Sequence, residues 1–219
     1  MNATINQPAP QAGFKRSFQH SQALFESAVA EFSAQGYDQA SINTILKNAG
    51  MSKGQFYYHF ENKEELYLAL IEVLIEKKTA HLAAVARPED YRQDIFAILQ
   101  TQINYSLDFA QEYPLIGQFA ESFVREQGSP IYDRALAVHN FENNAAMTAL
   151  IESAYARGEF REDLPLAFIK KAVGYLFTHA ADLADLNYAE NFEENMAYLI
   201  TFMRGGLGRS ANEQKDETS

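Results

Sequence analysis

The sequence predicts an all-α chain, with an N-terminal three-helix unit that contains a helix-turn-helix and a longer helical body behind it. Three observations carry that expectation. Apolar residues recur at helical spacing through almost all of the 219 residues. No stretch shows period-two alternation beside a hairpin turn signal. The interruptions fall on residues that start or stop helices, among them Gly36, Gly50, Pro114, Gly158 and Pro165.

Each element follows from its residues. Residues 1–13 are rich in Asn, Gln, Pro and Ala without periodicity, and read as a disordered arm. From Phe14 to Gln35, Phe18, Phe25, Val29 and Phe32 keep helical spacing, and Gly36 ends the run. Ser41 can cap a helix over 41–48 with Ile42, Ile45 and Leu46 inward. Ser52 and Gln55 form an S-x-x-Q capping box for a helix over 52–59, and Asn62 with Glu65 opens another over 62–85. Further helical patterns cover 90–111, 114–126, 130–157, 165–187 and 190–204. Residues 205–219, GGLGRSANEQKDETS, read as a disordered tail after a glycine stop. The domain division expected is therefore 14–62 for the three-helix unit and 63–204 for the body.

Composition narrows the function. Hydrophobic residues make up 47 % of the chain, enough for a sizeable core. No run approaches the ~18–20 uncharged apolar residues of a membrane span, so no membrane partner and a cytoplasmic location are expected. Without cysteine, disulfides, thiolate zinc sites and thiol catalysis are excluded. The net charge of −11 is uneven. Residues 1–63 carry five basic and four acidic groups, a net of +1, and the rest carries thirteen and twenty-five, a net of −12. An acidic body is repelled by nucleic acid, so any such contact belongs to the first sixty or so residues. The five histidines show no metal-ligand spacing, and no nucleophile elbow or phosphate loop occurs. No catalytic residue, metal or cofactor is expected.

The stretch SKGQFYYHF, residues 52–60, concentrates the remaining signal. In a helix-turn-helix the second helix lies in the major groove of DNA while the first crosses the backbone. On a helix over 52–59, Phe56 turns inward, and Lys53, Gly54 and Tyr57 share an outward arc. Gly54 removes bulk where a backbone would approach base edges. Tyr57, Tyr58 and His59 offer donors on stiff frames that suit phosphates and base edges; the plainer reading has the tyrosines capping a small core. The run SINTILKNAGMSKGQFYYHFENKEELYLALI, residues 41–71, resembles the DNA-binding segment of tetracycline-repressor-like (TetR-family) regulators, and the likeness extends over roughly residues 14–75. That resemblance implies base-edge contacts from Lys53, Gly54 and Tyr57. It implies phosphate contacts from Ser41, Thr44, Ser52, Gln55, Tyr58, His59 and Lys63, although Ser41 and Gln55 also fit as helix caps. It further implies a homodimer on a palindromic double-stranded operator, released by a small, largely apolar ligand. An architectural or cell-division factor of the same fold, without an inducer, is the alternative.

The body offers two softer readings. Val173, Leu176, Ala180 and Leu183 continue a 3-4 stripe along the 165–187 helix, and Met196, Leu199 and Met203 repeat it on the next. Both stripes suit a four-helix bundle with a second copy, or else the chain's own core. Phe109, Phe123 and His139 are candidate ligand contacts, apolar walls with a polar group, on a pattern that an ordinary helical core shares.

Overall fold

The computed structural model describes Phe14 and residues 18–139, 145–180 and 192–209, and the regular structure among them is helical. The helices are α1 (Ser21–Gln39), α2 (Ile42–Ala49), α3 (Lys53–His59), α4 (Lys63–Val85) and α5 (Ile95–Glu112). They continue as α6 (Pro114–Arg125), α7 (Pro130–His139), α8 (Ala145–Ala156), α9 (Leu166–Thr178) and α10 (Phe192–Leu207), and a 3-10 turn spans Asp90–Arg92. Two compact units divide the chain. The first holds residues up to Thr79 together with Glu112–Ala135, and the second holds Ala80–Gln111 and Leu136 onward. The boundary expected after residue 62 thus falls inside the first unit, because α6 comes back to pack along α1.

In the first unit the caps form as the residues dictate. The Ser41 hydroxyl accepts from Thr44 N at the head of α2, and Gly50, at φ 63°, closes that helix by donating to the Leu46 and Lys47 carbonyls. Ser52 and Gln55 make both bonds of the capping box on α3. Asn62 Oδ1 accepts from Glu65 N, and Glu65 accepts from Glu61 N, at the head of α4. Leu24, Ala28, Val29 and Phe32 of α1 are buried, as are Ile45 and Leu46 of α2, Phe56 and Phe60 around α3, and Leu66 and Leu70 of α4. Around the end of α1, Tyr67 meets Phe32, Tyr37 and Phe119 edge to face, tying α1, α4 and α6 into one aromatic cluster.

α1 begins later than its periodicity suggests. His20 precedes it at φ 69° and ψ 6°, a left-handed conformation that takes the residues before it off the helix axis. At its other end Gly36 breaks the helix at φ 72° and ψ 170°, a region open essentially to glycine. The Glu126 carboxylate, at the end of α6, accepts from Tyr37 N at 2.6 Å.

The second unit packs α5, α8, α9 and α10 around Ile95, Phe96, Leu99, Ile151, Ile169, Val173, Met196, Leu199, Met203 and Leu207. Asp94 fixes the head of α5. It accepts from Phe96 N and Ala97 N, and it pairs through both oxygens with Arg204 of α10 at 2.7 and 3.0 Å. Burial alone would raise the Asp94 pKa; the Arg204 and backbone donors outweigh it and hold the carboxyl below its ordinary range.

Two expectations need correction here. The tail placed from residue 205 is helical to Leu207, whose side chain is buried. Beyond it Arg161 N donates to Leu207 O and Arg209 N to Glu159 O, pairing Phe160 with Gly208. Gly208 serves that closure, since a Cβ there would lie 2.6 Å from the Arg204 carbonyl. Of the helix expected over 130–157, Pro130–His139 and Ala145–Ala156 are helical, and 140–144 lie outside the described residues. The proposed dimer stripe is the chain's own core: Val173, Ala180, Met196, Leu199 and Met203 are buried within the second unit and Leu176 packs against them, while Leu183 lies outside the described residues. The large apolar residues that do face water on α9 and α10 are Phe168, Tyr175, Tyr198 and Phe202, the last 67 % exposed.

Gly36→Ala combines a forbidden backbone region with a Cβ placed 3.0 Å from Glu126 Oε1. It should destabilise the chain by about 1–3 kcal/mol, read as a lower midpoint in urea with little change in slope.

Candidate nucleic-acid interface

α2, the turn at Gly50 and α3 form the helix-turn-helix, and burial sorts their side chains. Ile45, Leu46, Ala49, Met51, Phe56 and Phe60 fill the core beneath. Thr44, Lys47, Ser52, Lys53, Gly54, Gln55, Tyr57 and Tyr58 are exposed, and Ser41 and His59 are half-buried. Lys53, Gly54 and Tyr57 therefore lie on one outward arc of α3. Tyr57 is 55 % exposed although its ring edge touches Phe56 at 5.1 Å. A Cβ built on Gly54 would meet nothing within 4 Å. Nothing inside the protein requires glycine there; the open outer face is what it leaves clear.

The capping roles do not remove the polar residues from this face. Ser41 and Ser52 use their hydroxyl oxygens as acceptors, at 3.4 and 3.2 Å, and each keeps an O–H to donate outward. Gln55 uses Oε1 to accept from Ser52 N at 2.9 Å and keeps its amide N–H groups. A hydroxyl or amide donor beside a helix head is the kind of group that holds a phosphate.

Lys63 is the exception. Its Nζ donates to the carbonyls of Tyr37, Asp38 and Ala40 at 2.7, 3.0 and 3.3 Å, and it stands 4.6 Å from the centre of the Tyr37 ring. An ammonium has three donors, and all three are taken. The side chain expected to hold a phosphate instead fastens the end of α1 to the head of α4. Nothing local to Lys63 signals this, because the three carbonyls come from a turn 23–26 residues away. Tyr37 sits between that ammonium and the cluster beneath; burial first, then Glu64, Asp38 and Glu126, push its phenol pKa up.

His59, expected as one exposed donor among three, is instead stacked on Phe18. Their centroids are 3.8 Å apart and their planes within 17°, with Tyr58 edge-on at 4.9 Å. Partial burial lowers the imidazole pKa, which favours the neutral ring at neutral pH. The candidate ligand residues fall in both units. Phe123 belongs to the first unit and stacks on Tyr132 at 4.9 Å, whereas Phe109, beside His81, and His139 belong to the second. Among the described residues no group of three His, Asp or Glu side chains could hold a metal ion, and no helix is long and apolar enough to cross a membrane.

Comparison with known proteins bears on this same segment. The family model for bacterial regulatory proteins of the tetR family matches residues 24–70, from within α1 to within α4. Over this segment, the chain is similar to TetR-family regulators. A relative, the biofilm operon icaADBC HTH-type negative transcriptional regulator IcaR of Staphylococcus aureus (strain Newman), is 25 % identical over 104 residues, which are 47 % of this chain and 48 % of that protein. The IcaR of Staphylococcus epidermidis is 37 % identical over 49 residues, 22 % of this chain and 26 % of its own length. The chain thus matches about half or less of the length of these relatives. The TetR-family fold extends further. A TetR-family regulator from Chloroflexus aurantiacus superimposes with a TM-score of 0.61 at 24 % identity, over 90 % of this chain and 97 % of that one. One from Shewanella sp. PV-4 gives 0.61 at 21 %, over 89 % and 100 %. The fold is the one these solved regulators share.

Lys63→Met keeps the aliphatic stem but removes the three charged hydrogen bonds. Because the site is only half-buried, the cost expected is about 1–2 kcal/mol, measured by urea unfolding in the absence of DNA. A Lys63 that served DNA alone would leave that stability unchanged.

Proposed function

We propose that this chain is a homodimeric, DNA-binding transcriptional repressor that reads a palindromic operator through α3 and is released by a small, largely apolar ligand. The observation that carries the reading is the outward arc of Lys53, Gly54 and Tyr57 on a helix whose opposite side, at Phe56, is fully buried. Lys53 supplies a charge and Tyr57 a hydroxyl to base edges, and Gly54 lets the backbone come close. Thr44, Tyr58 and His59, with the free donors of Ser41, Ser52 and Gln55, hold the flanking phosphates. Repression, as distinct from activation, is supported by the description of the IcaR relatives as negative transcriptional regulators.

The second copy meets the outer face of α9 and α10. Phe168, Tyr175, Tyr198 and Phe202 are large and exposed there. A groove of about 380 Å³ lined by Leu164, Phe168, Ala172, Leu176, Phe202 and Met203 runs between the two helices. Large exposed rings beside an apolar groove mark an interface more often than a free surface. Two copies facing each other present two α3 helices, which is what a palindrome requires. The aromatic residues of the second unit support a ligand of apolar character, and linkage requires that whatever affinity for DNA the ligand removes, DNA removes from the ligand.

Retained fragments of the host genome identify the operator. On that operator Lys53→Ala with Tyr57→Ala should reduce discrimination by ~1–3 kcal/mol for each base edge no longer read, while the fold survives by circular dichroism. Full-strength binding by the folded double variant would remove α3 as the reading helix. For assembly, Tyr198→Glu with Phe202→Glu should give a monomer in light scattering at concentrations where the unchanged chain is a dimer. A dimer that survives both changes would move the interface elsewhere.

A further inference from the structure

We propose that Phe18 is a positioning residue for DNA recognition: its ring, stacked face to face on the imidazole of His59, sets the plane of that imidazole at the C-terminal end of α3. The inference rests on the reading of α3 as the DNA-reading helix and adds a residue outside the helix-turn-helix to the recognition apparatus.

His59 is the last residue of α3, and its side chain is half-exposed. An imidazole there turns about a torsion with a broad, two-fold profile, so an unsupported ring samples many planes. Two neighbours restrict it. Phe18 lies parallel to it at 3.8 Å, and Tyr58 stands at 89° to it at 4.9 Å. Stacking covers a face of the imidazole and leaves its edge. Both ring nitrogens lie on that edge, so the support takes none of the polar capacity. Phenylalanine has no polar atom of its own to compete for them. A neutral imidazole then offers one donor and one acceptor in a fixed plane.

Phe18 is itself held in place. It precedes α1, Ser21 N donates to its carbonyl at 3.0 Å, and its ring lies 6.2 Å from Phe14 and 6.4 Å from Phe60. Phe14 in turn packs on Phe25 at 5.7 Å and Phe60 at 5.3 Å. What brings the segment back over α3 is His20, which among the described residues is the one non-glycine at positive φ. A strained backbone persists where the surrounding structure insists on it, and here it places an aromatic face on the reading helix.

The test is a double-mutant cycle on operator binding by the full chain, with Phe18→Leu (bulk without a flat face), Phe18→Tyr (flat face kept) and His59→Ala. Phe18→Leu should weaken binding on the order of three- to ten-fold, with the melting temperature near that of the unchanged chain, and Phe18→Tyr should stay within about two-fold. In the His59→Ala background Phe18→Leu should add no further loss. Equal losses from Phe18→Leu in both backgrounds, or full binding by Phe18→Leu, would overturn the proposal. So would full binding by His59→Ala, which is informative even if Phe18→Leu does not fold, because there would be no ring to position. Failure of the unchanged chain to bind any DNA would defeat the functional reading itself. Weakened binding by Lys53→Ala with Tyr57→Ala, but not by Phe18→Leu, would defeat this inference alone.

Discussion

The first unit depends on how the end of α1 is held. A helix ends with carbonyls that have no partner inside it. Here the carbonyls of Tyr37, Asp38 and Ala40, in the turn that closes α1, converge on one ammonium, that of Lys63. One residue earlier, Gly36 turns the chain through a conformation closed to other residues, so that Tyr37 N reaches Glu126. Three helices distant in sequence thus share one junction. Its bonds are charge-assisted, from 2.6 to 3.3 Å, and supply partners that the helix end would otherwise need from water. The aromatic cluster below supplies the apolar part. Tyr67 is enclosed there, and its contribution comes from the ring, which meets Phe32, Tyr37 and Phe119 edge to face.

The second unit shows a different constraint. Each of α9 and α10 carries apolar residues on two faces, and only one face of each can enter the unit's own core. The faces that enter are those of Val173 and of Met196, Leu199 and Met203, so the rings of Phe168, Tyr175, Tyr198 and Phe202 are left outside. Burial of one face and exposure of the other are a single event, and the exposed set is as much a product of packing as the core.

That choice marks where the sequence stops being legible. Helices and their caps are local facts: Ser52 with Gln55, Ser41 and Gly50 announce themselves within four residues, and each behaves in the structure as its spacing implies. The outward arc on α3 follows from the same local geometry. Two apolar stripes with equal 3-4 spacing, by contrast, contain nothing local that says which faces inward; volume and the neighbours α5 and α8 decide it. The same holds for Lys63, whose partners come from the turn after α1, and for His59, whose support comes from Phe18, far back along the chain. The continuation of α10 past residue 204 is hidden for another reason. Two glycines read as a stop, yet Leu207 beyond them finds a place in the core, and that burial outweighs the low helix propensity of Gly205 and Gly206.

The enclosure of Lys63 has a consequence in covalent chemistry. An acylating or reductively alkylating reagent needs the amine's lone pair and a clear line of approach. Around this nitrogen stand three carbonyl oxygens and the face of a tyrosine ring. Lys47 and Lys53 are exposed on α2 and α3. The three amines of the helix-turn-helix region therefore differ in nucleophilic availability before any partner is present. Labelling of Lys63 reports the opening of the junction, whereas protection of the other two reports what comes to rest upon the surface.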